Sequence, residues 1–291
     1  SAADLHPLRQ GAAKQYYMTE MLGGDLIRYW VADLTAHQTA VPCSVEGCTH
    51  DTESCPAVFR RGACDGVYVL DDDTLVAFTN NHFPETQDSN VVLLDRNCQN
   101  RRVVATVNDA TFDALGFDNA TAPYTDGTYL YCLGYHGGYG GQTALFRIDP
   151  STGETADLLE NTEVPIDLLL GLSVQFVLIQ FEHEFPPHDS EGFTSASTRR
   201  IVHWLFDPAT GEMRQLAAYD TEEGILDSHT AEVLEGTYYQ IDWTAGTACT
   251  LDTETGETHL FAENIPAEYR DGHHWICLLY TSDAADEARS V

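Results

Sequence analysis

The sequence predicts an all-β fold, a β-propeller of four-stranded antiparallel blades, on three observations. A short hairpin phrase occurs five times, its copies stand at long and fairly even intervals, and a second strand pair precedes them. The phrase is clearest in Leu145-Phe-Arg-Ile-Asp149-Pro-Ser-Thr-Gly153-Glu154, Leu205-Phe-Asp207-Pro-Ala-Thr-Gly211-Glu212 and Leu251-Asp252-Thr-Glu-Thr-Gly256-Glu257. Weaker copies are Val31-Ala-Asp33-Leu-Thr and Leu93-Leu-Asp95-Arg-Asn. Each reads as a strand, a tight turn in which Asp caps its own backbone and Gly accepts a positive φ, and a returning strand.

The spacing selects the repeat type. The five aspartates stand 62, 54, 58 and 45 residues apart, longer than solenoid periods and close to a propeller blade with loop insertions. Upstream strand pairs begin at Asp65-Gly-Val-Tyr-Val-Leu, Asp126-Gly-Thr-Tyr-Leu-Tyr, Leu168 to Phe181, and Glu235-Gly-Thr-Tyr-Tyr-Gln-Ile. Two hairpins per period make a four-stranded sheet. Blades are expected at about 16–42, 65–108, 126–160, 168–219 and 229–262.

A sixth blade opens at Asp271-Gly-His-His-Trp275, so five to six blades are expected, in a ring that is incomplete. Cys277-Leu-Leu-Tyr-Thr-Ser-Asp-Ala-Ala-Asp-Glu287 reads, residue for residue, as the translation of a transposon-type sequencing adapter. Residues 277–291 are therefore expected to be an artefactual tail, excluded from fold reasoning. Residues 1–276 are expected to be a single propeller domain, and, with its start at Ser1, the chain is expected to be a fragment.

Charge narrows the partners. The net charge of −32 becomes −30 when residues 277–291, with three acids and one arginine, are set aside, and Lys14 is the only lysine. Such a surface repels nucleic-acid phosphates and anionic lipid heads. The longest apolar run, residues 168–181, is interrupted by Ser173 and Gln175 and is shorter than the roughly 20 residues a membrane span needs. No transmembrane span is expected.

The densest chemistry lies in Cys43-Ser-Val-Glu-Gly-Cys48-Thr-His50-Asp-Thr-Glu-Ser-Cys55-Pro56. Three thiols and an imidazole form the ligand set of a closed tetrahedral Cys₃His zinc site, Cys43, Cys48, His50 and Cys55. The spacing is not that of a standard finger, and the Cys-x-His pair must converge from a turn and not from a strand. The competing reading pairs Cys43, Cys48, Cys55 and Cys64 in two disulfides. An exported protein meets oxidants more reliably than zinc, which favours disulfides but leaves His50 unexplained. In both readings the loop is a structural staple between the first and second blades, so no cofactor is expected beyond a structural zinc.

The combination of Pro42-Cys43, Cys48-Thr-His50-Asp51, Cys55-Pro56-Ala57 and blades carrying Asp-x-x-Thr-Gly-Glu resembles a group of exported, often lipid-anchored bacterial propeller proteins of unknown function. These are distantly similar to the YWTD propellers of lipoprotein receptors. The resemblance covers roughly residues 14–276 and implies an extracytoplasmic location and a binding or scaffolding role. The tetrapeptide itself is missing here, which weakens the implication of receptor-like ligand binding.

Other segments offer further candidates. Tyr135, His136 and Tyr139 in Tyr135-His-Gly-Gly-Tyr139-Gly-Gly141 combine aromatic stacking with close backbone approach, which suits a sugar or peptide. His183-Glu-Phe-Pro-Pro-His188-Asp189 places two imidazoles and two carboxylates in one loop, but its prolines block the helical spacing that would aim both histidines at one ion. No Gly-x-Ser-x-Gly elbow is present, so no catalytic residue is assigned. Two functions remain: a non-catalytic extracytoplasmic binding or scaffold propeller for a protein, peptide or glycan, or a propeller hydrolase or lyase working at the central mouth. The sequence carries no signal for oligomeric state.

Overall fold

In the computed structural model the described residues are 4–9, 11–12, 14–24, 26–60, 67–70, 74–80, 89–107, 115–117, 123–136, 142–160, 162, 164–184, 197–220, 229–234, 236–243 and 245–266. Among them there is no helix, and all regular structure is antiparallel sheet. A short β1 (His6–Pro7) precedes the first sheet, which holds β2 (Gly11–Ala12), β3 (Gln15–Leu22), β4 (Leu26–Asp33) and β5 (Gln38–Ala40) in that order, with β6 (Val58–Arg60) also on β4. The second sheet is β7 (Val67–Val69), β8 (Leu75–Asn80), β9 (Ser89–Leu94) and β10 (Arg102–Val107).

The third sheet adds β11 (Leu115–Phe117), which pairs β13, to the run β12 (Tyr124–Thr125), β13 (Leu130–His136), β14 (Gln142–Ile148) and β15 (Thr155–Asp157), and β1 lies on the outer side of β12. The fourth is β16 (Leu168–Leu172), β17 (Gln175–Glu184), β18 (Ser197–Phe206) and β19 (Met213–Asp220), and the fifth is β20 (His229–Leu234), β21 (Thr237–Asp242), β22 (Thr247–Leu251) and β23 (Thr258–Ala262). These sequential four-stranded meanders are the blades that the repeats predict, at nearly the expected positions. Residues 271–276, the expected opening of a sixth, lie outside the described residues, as does the tail.

All five aspartate phrases join the third strand of a sheet to its fourth, and the geometry is the one read from sequence. Asp149 Oδ1 accepts the Ser151 and Thr152 N–H groups at 2.8 and 3.2 Å, and Gly153 donates its N–H to the Asp149 carbonyl at 2.8 Å. Asp207 and Asp252 repeat the pattern. Gly153, Gly211 and Gly256 stand at φ of 80°, 74° and 77°, which a side chain disfavours. In the first copy His37 takes that left-handed position, with φ 53°.

The chain divides into two compact units, Ser1–Phe176 with Asp207–Glu212, and Val177–Phe206 with Met213–Val291. In the first, the middle strands of the second sheet are buried on both faces. Val76 and Phe78 of β8 and Val91 and Leu93 of β9 join a core with Leu130, Cys132, Phe146 and Ile148 of the third sheet. Their alternate neighbours Leu75, Ala77, Val92 and Leu94 join a core with Tyr17, Ile27, Tyr29 and Phe59 of the first. Period-two side-chain direction thus explains why these strands are continuously apolar rather than alternating. In the second unit Ile241, Trp243 and Ala248 form a smaller core, and buried His203 meets the Tyr238 hydroxyl.

Two turn glycines separate conformation from packing. A Cβ on Gly153 would stand 2.1 Å from the Val104 carbonyl oxygen, whereas one on Gly211 would meet nothing within 4 Å. Gly211→Ala should cost about 1–2 kcal/mol for its left-handed backbone, and Gly153→Ala at least about twice that, since its Cβ would also have to displace the main chain of β10 at Val104. Denaturant melts of both variants check this, and equal losses would show that the carbonyl yields freely.

Candidate metal centre

Residues 41–57 leave the end of β5 and return as β6 to the same strand: β5 pairs Val31–Asp33 of β4, and β6 pairs Leu26–Arg28. The cysteine loop is therefore an insertion in the outermost strand of the first sheet. Across residues 44–54 only Cys48 and His50 escape the exposed class. Cys55 is fully buried, at 0 % exposure, and Cys43 is half-buried.

Tight turns aim these side chains. Gly47 at φ 71° and the Cys48 N–H to Val45 carbonyl bond of 3.2 Å make the first, and Cys55 N–H to Thr52 carbonyl, 2.9 Å, makes the second. Between them His50 sits at φ 58°, a conformation uncommon for a residue with a Cβ. It turns the imidazole onto the thiols: Nδ1 lies 3.3 Å from Cys55 Sγ. The position is held from the sheet, since Arg28 on β4 donates to the His50 carbonyl at 3.1 Å while Glu20 accepts from Arg28 Nε at 3.0 Å. Trp30 Nε1 also donates to Glu20, at 2.7 Å.

The donor atoms of Cys43, Cys48, His50 and Cys55 all lie within 4.8 Å of one another. Donors bound at about 2.3 Å around a tetrahedral ion stand roughly 3.8 Å apart, so the set fits zinc with only a small contraction. Among the described residues all six cysteines are free thiols, and Cys64, the fourth partner of the disulfide reading, lies outside them. The convergence also gives His50 the role that a disulfide leaves without explanation. A cleft of about 440 Å³ lined by Tyr17, Val31, Pro42, Cys43, Ser44 and Arg96 opens beside the loop, with Cys43 the one donor of the four on its wall.

The thiols are not equivalent. The backbone N–H of His50 lowers the Cys48 thiol below its ordinary value, with neighbouring thiols adding to the effect against burial. Burial pushes Cys55 up to about 12. Cys98, which sequence reasoning did not connect with the loop, is also pushed up to about 12 by burial, opposed by the Arg101 charge, and it shares a core with Cys55. Its turn clasps the loop: Arg101 donates to the Pro56 and Val58 carbonyls at 2.5 and 2.9 Å and stacks 3.6 Å over Phe59. The signal for Cys98 was present in the repeat. The Asp95 turn is one residue short, with Cys98 N–H on the Asp95 carbonyl, and Cys98 at φ 55° fills the place that glycine holds in the clear copies.

The other candidates are not brought to this site by anything described. Tyr135 and His136 lie on β13, their backbones paired with Thr143 and Gln142 of β14 and with Gly116 and Leu115 of β11. Tyr139 and His188 lie outside the described residues, and His183 is a backbone position of β17. No helix among the described residues is long and apolar enough to cross a membrane.

No protein-family model matches the chain, and no curated protein matches it by sequence. Solved structures similar to it include a nidogen/laminin complex, at 12 % identity over 89 % of this chain and 80 % of that chain with a TM-score of 0.42. TolB from Acinetobacter baumannii is similar at 14 % identity over 90 % and 55 % with a TM-score of 0.41, and an oligogalacturonate lyase in complex with manganese at 14 % over 89 % and 74 % with a TM-score of 0.46. At such identities and scores no activity, metal or partner passes from them to this chain.

The thiol environments set an order of reactivity, because the thiolate is the attacking form. In reduced, metal-free protein an alkylating agent should label Cys48 first and Cys55 and Cys98 last. Peptide mass mapping over a time course checks the order, and equal rates at Cys48 and Cys55 would contradict it.

Proposed function

We propose that this protein is a non-catalytic bacterial binding or scaffold propeller that acts outside the cytoplasm, its first sheet stapled by one structural zinc on Cys43, Cys48, His50 and Cys55. The observation that carries the reading is the convergence of four zinc-type donors, three thiols and an imidazole, within 4.8 Å in a loop whose remaining surface is exposed. Four protein donors complete a tetrahedron, so the ion has no open position for substrate and supplies folding energy. Sheets held this firmly are platforms for connecting loops, where recognition is concentrated. The net charge of −32 turns those loops away from nucleic acid and toward a protein, peptide or glycan. The likeness of the Pro42–Ala57 segment to exported bacterial propellers supports the location.

Elemental analysis with thiol counting, on protein purified without added metal or reductant, tests the staple. One zinc per chain is expected, with Cys43, Cys48 and Cys55 protected until a chelator is added. His50→Ala should weaken zinc binding by more than the roughly 10- to 100-fold that loss of an outer-shell partner costs. Metal-free protein with Cys43, Cys48 or Cys55 in intact disulfides would overturn the zinc reading.

A further inference from the structure

Residues 4–9 precede the five meanders in the chain, add β1 to the edge of the third sheet, and are bonded to the second and fourth as well. Leu5 donates its N–H to the Ser173 carbonyl in the β16–β17 turn at 2.6 Å, and Ser173 Oγ bonds Asp4 Oδ1 at 3.0 Å. His6 and Pro7 pair Thr125 and Tyr124 of β12, and the Leu8 N–H reaches the Pro123 carbonyl at 2.7 Å. The Val69 N–H on β7 then donates to the Arg9 carbonyl at 2.8 Å. The segment is extended and lies against the first strand of the second and third sheets and the turn behind the first strand of the fourth.

Its side chains divide in two. Leu5 and Leu8 are only 7 % and 6 % exposed, and Leu8 enters the core with Val76, Phe78 and Leu130. Asp4, Pro7 and Arg9 are exposed. The bed beneath is shaped for the strand: a Cβ on Gly171 would stand 2.7 Å from the Tyr124 ring and 3.1 Å from the Leu5 carbonyl. Tyr124 is itself held edge-on to Phe176 with ring centroids 5.6 Å apart. Main-chain bonds with apolar anchors are the pattern of strand-addition recognition, in which backbone gives affinity and pockets give specificity, and here Leu5 and Leu8, three positions apart on an extended segment, point to opposite faces of it.

We infer that the edge of β12, flanked by Val69 and Ser173, is a groove for an extended peptide with two large apolar side chains three positions apart, and that residues 4–9 are its tethered occupant. The partner is an extended peptide of Leu-x-x-Leu type. Tethering gives the resident segment an effective concentration in the millimolar range, so an external peptide binds measurably only when the resident is weakened or when it is in large excess. The inference rests on the reading of the protein as a binding module and not on the metal. Zinc content measured on the same samples tells the two failures apart.

The test uses the full chain carrying Leu5→Asp and Leu8→Asp, with a fluorescein-labelled peptide of residues 3–10, Ala-Asp-Leu-His-Pro-Leu-Arg-Gln. Fluorescence anisotropy should show binding to the variant at least about tenfold tighter than to the unaltered chain. The same substitutions in the peptide should abolish binding, and exchanging its histidine for alanine should not. Equal binding to both chains, indifference to the leucines, or no binding by a folded variant would each overturn the inference. If the variant fails to fold, amide exchange on the unaltered chain decides. Excess peptide should strip protection from the Leu5 and Leu8 amides and leave Val69 protected, because the peptide then supplies its acceptor. Leu5 and Leu8 amides indifferent to millimolar peptide, or a dimer that peptide does not disperse, would overturn the groove in favour of a fixed strap or of exchange between copies.

Discussion

Burial of the second sheet's middle strands on both faces is the constraint on which the first unit depends. Successive residues of β8 and β9 alternate between two cores, one shared with the first sheet and one with the third. A one-residue slip of register would exchange the two sets and move Phe78, fully buried, into the place of Ala77. Neither core could absorb that change of volume without overpacking on one side and a cavity on the other. Register is therefore strongly specified in these strands.

The aspartate turns help to set it for one pair in each sheet, the third strand against the fourth. In each of the five copies the aspartate's Oδ1 caps backbone N–H groups of the turn, and in the clear copies a left-handed glycine closes it. The weaker copies keep the capping and give up the glycine, placing His37 or Cys98 in the left-handed position at some cost in backbone strain. At Cys98 the exchange has an evident return: the thiol lies in the core beside Cys55, and its turn carries Arg101 onto the Pro56 and Val58 carbonyls.

Features that depend on neighbours in sequence were legible, and features that depend on distant pairing were not. The turns, the blade spacing and the donor set at 43–55 are each written in a few adjacent residues. That β6 returns to β4 could not be read, because Val58–Arg60 is too short to show a period. Pairing of His6–Pro7 with Tyr124–Thr125 was hidden for the same reason, and the two-residue contact carries no pattern of its own. Cys98 was overlooked because a cysteine in a glycine's place is recognisable only once the short Asp95 turn is aligned with its longer relatives. The convergence of the imidazole on the thiols depends on the direction of His50, which follows from its positive φ and not from the spacing of the cysteines.

The balance of terms in the loop sets what a cross-link there would have to offset. Ordering a residue costs about 1–2 kcal/mol in backbone entropy, offset elsewhere in this unit by apolar burial. Across residues 44–54 that compensation is missing, since everything except Cys48 and His50 is exposed, and Val45 is 49 % exposed. Ladder hydrogen bonds are missing as well, because pairing to β4 stops at Ala40 and resumes at Val58. A few turn bonds and the Arg28 contact to the His50 carbonyl are small against that cost. Metal binding to a site that does not exist in the unfolded chain is itself folding free energy, on the order of 10 kcal/mol for structural zinc. Zinc bound there would offset a large part of that cost, and the two residues turned inward from an otherwise exposed loop are among its ligands.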